Sequence, residues 1–317
     1  MKFTALTAIA TAALVSIAAL SHADTTAVNV PEVTYHTERI GEVDVFYRQA
    51  GDLDAPVLLL LHGFPSSSHQ FRELMPLLAD KYRVIAPDFP GFGNTVAPPR
   101  GEYEYTFDNL ADTIGGLTET LGLTAYAMYV FDYGAPIGFR LATANPEKVT
   151  AIISQNGNAY EAGLSPAFGK VKAYWDEDTP ENRNALRGFL QRETTVWQYT
   201  AGVPEELLSH ISPDSIAHDQ SNLDRDAEIQ LDLFKSYETN VKAYPEWQAY
   251  MREHQPPLLA IWGKNDPFFV SAGAEAFKRD IPKADVELLD TGHWALETHL
   301  NEIANRIHAF LGGLQKN

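Results

Sequence analysis

The sequence contains no cysteine, and this absence removes several kinds of chemistry at once. Without thiols the chain forms no disulfides, uses no thiolate nucleophile and offers no cysteine ligand to a metal ion. Basic residues are also few, because 24 Lys and Arg stand against 42 Asp and Glu, which gives a net charge of −18. A nucleic-acid partner requires a basic surface for its phosphates, so the composition predicts none.

The N-terminus carries a short apolar run, residues 8–20, after the positive charge of Lys2. Ser21 and Ala23 then place small residues two apart, as signal-peptide cleavage requires. The run is shorter than the roughly 20 residues of a membrane span, although an uncleaved anchor stays open as a rival. We predict a secretion signal at residues 1–23, export to the periplasm or the medium, and no membrane contact after cleavage.

The rest of the chain has the composition of a globular protein. An apolar fraction of 45% excludes disordered and fibrous classes, and 317 residues fit one large domain or a core with an inserted subdomain. Strand-like runs alternate with amphipathic segments, which predicts a mostly parallel sheet with helices on both faces, an α/β fold. The candidate strands are 43–48, 57–61, 83–87, 127–131, 150–154, 258–262 and 286–289.

Two apolar stripes at three- and four-residue steps predict helices. The first runs over 107–121 and stops at Gly122, and the second runs over 300–310 and closes at Gly312. Between them, residues 158–255 carry few strand signals and many aromatic side chains. The predicted divisions are residues 24–157 and 256–317 for the core and 158–255 for an all-helical insertion.

Asp132 stands where an apolar strand, 127–131, gives way to a helix start punctuated by Gly134 and Gly138. A carboxylate is ionised near neutral pH and attacks without a base to deprotonate it. This position therefore favours attack on a saturated carbon, as in an epoxide or an alkyl halide. The alternative is that Asp132 only caps the helix N-terminus.

Asp266 and His293 each follow one of the last two predicted strands. The chain order of Asp132, Asp266 and His293 is the order nucleophile, acid, histidine. In that arrangement His293 acts as base on a water, and Asp266 fixes its tautomer and stabilises the imidazolium. Asp290 is a second candidate partner for the histidine. The other histidines show no metal-ligand spacing, so we predict neither a metal nor another cofactor.

The loop after the buried strand 57–61 reads His62-Gly63-Phe64-Pro65. Such a loop directs backbone N–H groups toward the head of the next strand but one, where an oxyanion hole is needed. We expect the N–H groups of Phe64 and Tyr133 to form it, and His62 to be structural.

Together these motifs resemble the α/β-hydrolase superfamily, and specifically its Asp-nucleophile branch of epoxide hydrolases and haloalkane dehalogenases. The loop at 62–65 is similar to the family motif H-G-x-P, and residues 91–95 are similar to the G-x-small-x-S/T loop of epoxide hydrolases. The resemblance covers essentially all of the mature chain. It implies an α/β-hydrolase fold whose active site lies under a helical cap, here residues 158–255.

The chain departs from both groups of this branch. Haloalkane dehalogenases usually bind the leaving halide with a Trp after the nucleophile and with an Asn or a second Trp elsewhere. This chain has Tyr133 after Asp132 and Phe64 in the loop where the Asn would often lie. Three tryptophans of the insertion could bind the halide instead or could simply pack: Trp175, Trp197 and Trp247. Epoxide hydrolases also commonly carry Trp at the position of Tyr133, and they use cap tyrosines to hydrogen-bond the epoxide oxygen. We choose Tyr237 for that task, with Tyr199 as its partner.

The sequence thus predicts an epoxide hydrolase that acts on a small apolar molecule. The rival is a haloalkane or haloacid dehalogenase with the same covalent first step. A non-catalytic binding protein on the hydrolase fold is a further alternative, although the acid–base pair argues against it. A homo-oligomer is left open.

Overall fold

The computed structural model describes residues 31–314, so the signal predicted at residues 1–23 lies outside the described residues. The described chain forms one sheet in the order β1-β2-β4-β3-β5-β6-β7-β8. The strands are β1 (Val33–Ile40), β2 (Val43–Ala50), β3 (Val57–Leu61), β4 (Arg83–Pro87), β5 (Tyr126–Phe131), β6 (Val149–Gln155), β7 (Leu258–Gly263) and β8 (Asp285–Leu289). Pairings that involve β1 or β2 are antiparallel and all others are parallel. The predicted fold class is confirmed.

Helices cover the sheet and fill the interval between β6 and β7. They are α1 (Leu74–Leu78), α2 (Phe107–Thr120), α3 (Gly134–Ala144), α4 (Gly169–Asp176), α5 (Pro180–Ala185), α6 (Arg192–Thr200), α7 (Pro213–Arg225), α8 (Ala227–His254), α9 (Ala272–Asp280), α10 (Ala295–Thr298) and α11 (Leu300–Leu314). None of the helices within residues 31–314 has the length and hydropathy to cross a bilayer.

The central strand β3 is apolar on both of its faces because helices lie on both. Leu58 and Leu60 belong to the apolar cluster that includes side chains of α1 and α11. Leu59 and Leu61 belong to the opposite cluster, with side chains of α2, α3 and α9. A strand with a solvent-exposed face would alternate between polar and apolar residues instead.

All seven predicted strands are present, and their observed ends lie within two residues of the predicted ones. The prediction missed β1, which forms a hairpin with β2 through a turn at Gly41. This edge strand is half-exposed, and polar residues interrupt its apolar ones, so it lacks the apolar run that marks the other strands. The expected helix end at Gly312 was wrong as well, since α11 continues through this glycine to Leu314.

Between β6 and β7 the described chain contains α4 to α8 and short 3₁₀ turns. The division of the chain at residues 158 and 255 stays a prediction. Helix α8 is 28 residues long and also touches the helices that cover the sheet. Arg140 of α3 donates to Asn240 of α8 at 2.7 Å, and its guanidinium lies over the ring of Trp247.

Helix α3 begins in very close contact with β3, and this contact sets the position of the β5–α3 turn. A Cβ atom added to Gly134 would lie 2.1 Å from the backbone oxygen of Leu61. A backbone atom has no alternative rotamer, so any larger residue must displace the helix from the sheet.

We therefore expect Gly134→Ala to lower the free energy of unfolding by about 1–3 kcal/mol. Gly312→Ala is the matched control, because no atom lies within 4 Å of the Cβ added there and alanine favours a helix. Urea unfolding followed by circular dichroism measures both. Equal stability of the two variants would contradict the close contact described here.

Candidate active site

Asp132 directly follows β5 and lies in a strained turn. Its φ is +49°, a left-handed conformation that costs free energy for a residue other than glycine. Its carboxylate offsets that cost, because Oδ1 accepts hydrogen bonds from the backbone N–H groups of Phe64 and Tyr133, each at 2.6 Å. The turn thus places an 8% exposed carboxylate at the carboxyl edge of the sheet.

The loop after β3 reaches Asp132 because glycine stands at position 63. A Cβ atom added to Gly63 would lie 2.5 Å from the Cβ and 2.8 Å from Oδ1 of Asp132. His62 holds the other side of the loop, accepting at Nε2 from the N–H of Phe89 at 3.0 Å while Nδ1 meets the Gly63 carbonyl at 3.1 Å. Burial lowers the pKa of His62 to about 3, so this ring is neutral and structural.

His293 lies between two carboxylates. Its Nδ1 contacts Oδ2 of Asp266 at 2.7 Å, and its Nε2 is 3.9 Å from Oδ2 of Asp132. Asp290 is not the partner, because it is exposed and pairs with Lys264 at 3.1 Å. An ionised Asp266 can only accept, so Nδ1 carries a proton and Nε2 is the atom directed at Asp132.

Asp266 is held by four hydrogen-bond donors. Its Oδ1 accepts from the backbone N–H groups of Phe268 at 2.7 Å and Phe269 at 3.1 Å. Its Oδ2 accepts from Nδ2 of Asn156 at 2.7 Å as well as from His293. This carboxylate can therefore turn neither away from the imidazole nor toward solvent.

Sequence reasoning missed Asn156. It follows β6 with φ +48°, and its Oδ1 accepts from the N–H of Gly263 at 2.9 Å while its Nδ2 binds Asp266. The available signal was the polar pair Gln155-Asn156 directly after an apolar strand. Polar side chains at the carboxyl end of a parallel strand lie at the edge where sites form.

The two groups that face each other have shifted pKa values. Burial raises the pKa of Asp132 to about 6, although His293 and the two N–H donors act against it. For His293, burial alone would lower the pKa, but the charge and hydrogen bond of Asp266, together with Asp132, raise it above its ordinary value. At neutral pH Asp132 is thus ionised beside an imidazole that readily holds a second proton.

A small cavity of about 50 Å³ opens above these residues. Its lining is mostly apolar and comes from both the core and the insertion: Phe64, Asp132, Tyr133, Ala167, Phe168, Val171, Phe189, Gln198, Phe234, Tyr237, Phe268, Phe269 and His293. Six of the seven residues predicted for the site lie within or directly beside this cavity. Tyr237 is among them.

Tyr199 is the exception and requires a correction. Its hydroxyl donates to Oδ2 of Asp219 at 2.6 Å, and its ring stacks on Trp294 with centroids 4.4 Å apart. It does not line the cavity. A buried carboxylate is a strong acceptor, and it directs this tyrosine away from the position expected of a substrate ligand.

The three tryptophans of the insertion do not line the cavity either. Trp175 donates its indole N–H to the carbonyl of Phe234 at 2.8 Å. Trp197 is 44% exposed, and Trp247 stacks on Phe139 of α3. Trp175 and Trp247 therefore serve packing.

A carboxylate on such a turn, with a carboxylate-paired histidine opposite, is the arrangement expected of an α/β hydrolase. The chain matches the model of the α/β hydrolase fold family over residues 56–300 and belongs to that family. With aspartate at the turn and haloalkane dehalogenases among the similar proteins, it falls in the Asp-nucleophile branch of that family.

Similar proteins come from several groups. An uncharacterized hydrolase of Saccharomyces cerevisiae, YNR064C, is 45% identical over 84% of this chain and 92% of its own length. A haloalkane dehalogenase of Psychrobacter cryohalolentis is 31% identical over 85% of this chain and 88% of its own.

Two solved structures show the same fold. The haloalkane dehalogenase DbeA of Bradyrhizobium elkani aligns with a TM-score of 0.74 and 22% identity, covering 90% of this chain and 99% of that one. The epoxide hydrolase VrEH1 of Vigna radiata aligns with a TM-score of 0.69 and 23% identity, covering 89% and 98%.

The contact of Asp266 with the imidazole predicts how His293 titrates. Asp266→Asn removes the negative charge, so the pKa of His293 should fall, whereas Asp290→Asn should leave it unchanged. Histidine-labelled protein titrated by NMR measures both. An equal pKa in the two variants would mean that Asp266 does not control the imidazole.

Proposed function

We propose that this hydrolase opens small epoxides to diols through an ester on Asp132, after export and removal of residues 1–23. The proposal rests on the different surroundings of the two carboxylate oxygens of Asp132. Oδ1 is held by two backbone N–H groups, while Oδ2 lies 3.9 Å from Nε2 of His293 at the wall of the cavity. One oxygen is therefore held for charge stabilisation and the other is available for attack.

In the first step Oδ2 of Asp132 attacks an epoxide carbon and the ring C–O bond breaks. The oxygen that is released needs a proton, and Tyr237 is the phenol of the insertion that lines the cavity. Burial raises the pKa of Tyr237 well above its ordinary value, and nearby groups including Asp132 add to the rise. The phenol therefore keeps its proton until the developing alkoxide, a much stronger base, accepts it.

In the second step water attacks the carbonyl carbon of the ester. The ester has removed the charge of Asp132, which is one of the charges that raise the pKa of His293. The pKa of His293 then falls, and the neutral imidazole accepts a proton from water at Nε2. The oxyanion that forms is Oδ1, which already accepts from Phe64 and Tyr133. When the intermediate collapses, the bond between the carbonyl carbon and Oδ2 breaks and the imidazolium protonates the departing alkoxide. The new carboxyl group of Asp132 loses its proton and Tyr237 regains one, so that epoxide plus water give a diol.

The site favours an epoxide over a halide because the phenol of Tyr237 lines the cavity, whereas no tryptophan of the described chain does. Haloalkane dehalogenases usually bind the departing halide with tryptophan, but Trp175 donates its indole N–H to a backbone carbonyl. Phe64 offers only an aromatic ring at the loop position, and this ring packs against Phe234. An alkoxide, in contrast, requires the proton that Tyr237 supplies.

Haloalkane dehalogenation is the second candidate, and the relatives named haloalkane dehalogenases support it. It would use the same attack by Asp132 and the same hydrolysis. A haloacid substrate is disfavoured, because no Lys or Arg lines this cavity in the described part of the chain to pair with its carboxylate.

The two-step chemistry predicts that His293→Gln accumulates the ester. Intact-mass spectrometry after incubation with an epoxide should show an increase equal to the whole epoxide, whereas an alkyl halide would add only its alkyl group. Asp132→Asn is the control and should show no adduct. Absence of any adduct on His293→Gln, or function retained by Asp132→Ala, would support a non-catalytic binding protein instead.

The proton donor is tested by Tyr237→Phe. We expect the rate of ester formation from an epoxide to fall about 100-fold or more, and halide release from any alkyl halide that reacts to stay unchanged. Tyr250→Phe on the same helix is the control, because its buried hydroxyl has no hydrogen-bond partner within residues 31–314. Stopped-flow kinetics give the rates, and an unchanged epoxide rate in Tyr237→Phe would remove this residue from the mechanism.

A further inference from the structure

Gln198 lies on α6 and presents an unpaired amide to the cavity. Its side chain lines the cavity although only 2% of the residue is exposed. Its amide has no hydrogen-bond partner among residues 31–314, and its polar atoms are not fully buried, unlike the unpaired amide atoms of Gln70 and Gln230. An amide at a cavity wall without a protein partner is available to bind a ligand.

The neighbouring polar residues of α6 differ from Gln198 in this respect. Thr195 donates to Oε1 of Gln220 at 2.9 Å, and Tyr199 donates to Asp219 at 2.6 Å. The packing of α6 on α7 thus satisfies the polar groups beside Gln198 and leaves its amide to the cavity.

Most other polar groups of the cavity lining already have a role in the proposed reaction. Asp132, His293 and Tyr237 carry the proposed reaction, and Tyr133 contributes its backbone N–H. The remaining lining is made of phenylalanines, an alanine and a valine. Two polar side-chain groups of the lining are not used by the reaction steps within residues 31–314: the hydroxyl of Tyr133, which is fully buried, and the amide of Gln198, which is not.

We propose that Gln198 binds an uncharged hydrogen-bonding group of the substrate, a hydroxyl or a carbonyl next to the epoxide ring. This inference rests on the proposed function. An amide offers both donors and an acceptor, which suits such a group. A carboxylate is excluded by the negative charge of Asp132 and by the lack of Lys or Arg in the lining of the described chain. The cavity of about 50 Å³ requires the group to lie close to the ring.

Glycidol and butene oxide are a size-matched pair of probes, because they differ only in a terminal hydroxyl in place of a methyl group. We expect the wild-type enzyme to favour glycidol in kcat/KM. Gln198→Leu should reduce the ratio of glycidol to butene oxide about 10-fold or more, since a hydrogen-bonding site discriminates strongly against a substrate that lacks the group. Gln191→Leu, an exposed position at the start of α6, should leave the ratio unchanged.

Single-turnover measurements of ester formation and ester hydrolysis separate the outcomes. A smaller glycidol preference in ester formation supports the proposal. An unchanged preference overturns it, and a slower hydrolysis of both esters would then assign Gln198 to the attacking water.

If the wild-type enzyme opens neither epoxide, the proposed function fails, but the polar preference is still testable by binding. Saturation-transfer NMR then compares the products, glycerol and butanediol, on wild-type protein and on Gln198→Leu. A glycerol preference lost in the variant supports the site, and equal binding by both proteins rejects it.

Discussion

The pair of backbone hydrogen bonds to Oδ1 of Asp132 is the interaction on which the rest of the site depends. It joins the loop after β3 to the turn after β5, and it stabilises a left-handed residue in a buried position. Two glycines allow this close approach, because a side chain at Gly63 would collide with Asp132 and one at Gly134 would collide with β3. The same donors later face the negative charge of the hydrolysis step, so fold stability and the proposed chemistry use one set of contacts.

A second constraint is that the imidazole of His293 lies between two carboxylates that are held by different hydrogen bonds. Asp266 has four donors and a fixed orientation, whereas Oδ2 of Asp132 accepts no hydrogen bond within residues 31–314 and lies 3.9 Å from Nε2 of His293. The better-supported carboxylate holds the ring, and the less supported one is free to react. Burial makes this difference large, because charges interact strongly where water is excluded.

Much of this arrangement could be read from the sequence, since it depends on local patterns in a fixed order. Apolar runs mark the strands, and the polar residue after each run marks the edge of the sheet, which is how Asp132, Asp266 and His293 were predicted. Asn156 carried the same signal and was missed. The local sequence could not predict that Gln198 rather than Tyr199 lines the cavity. The face of α6 that meets the cavity depends on the packing of this helix on α7 and on Trp294.

Tyr237 and Gln198 both line the cavity, but they belong to helices of very different length, α8 and α6. Tyr237 belongs to a long helix that is bound to α3 through Arg140, whereas Gln198 belongs to the short helix α6, which packs on α7. The position of Tyr237 therefore depends on the contact between α8 and α3. Changes in α4 to α6 can alter which molecules are admitted while leaving the reacting groups aligned, so selectivity and chemistry can evolve separately in this scaffold.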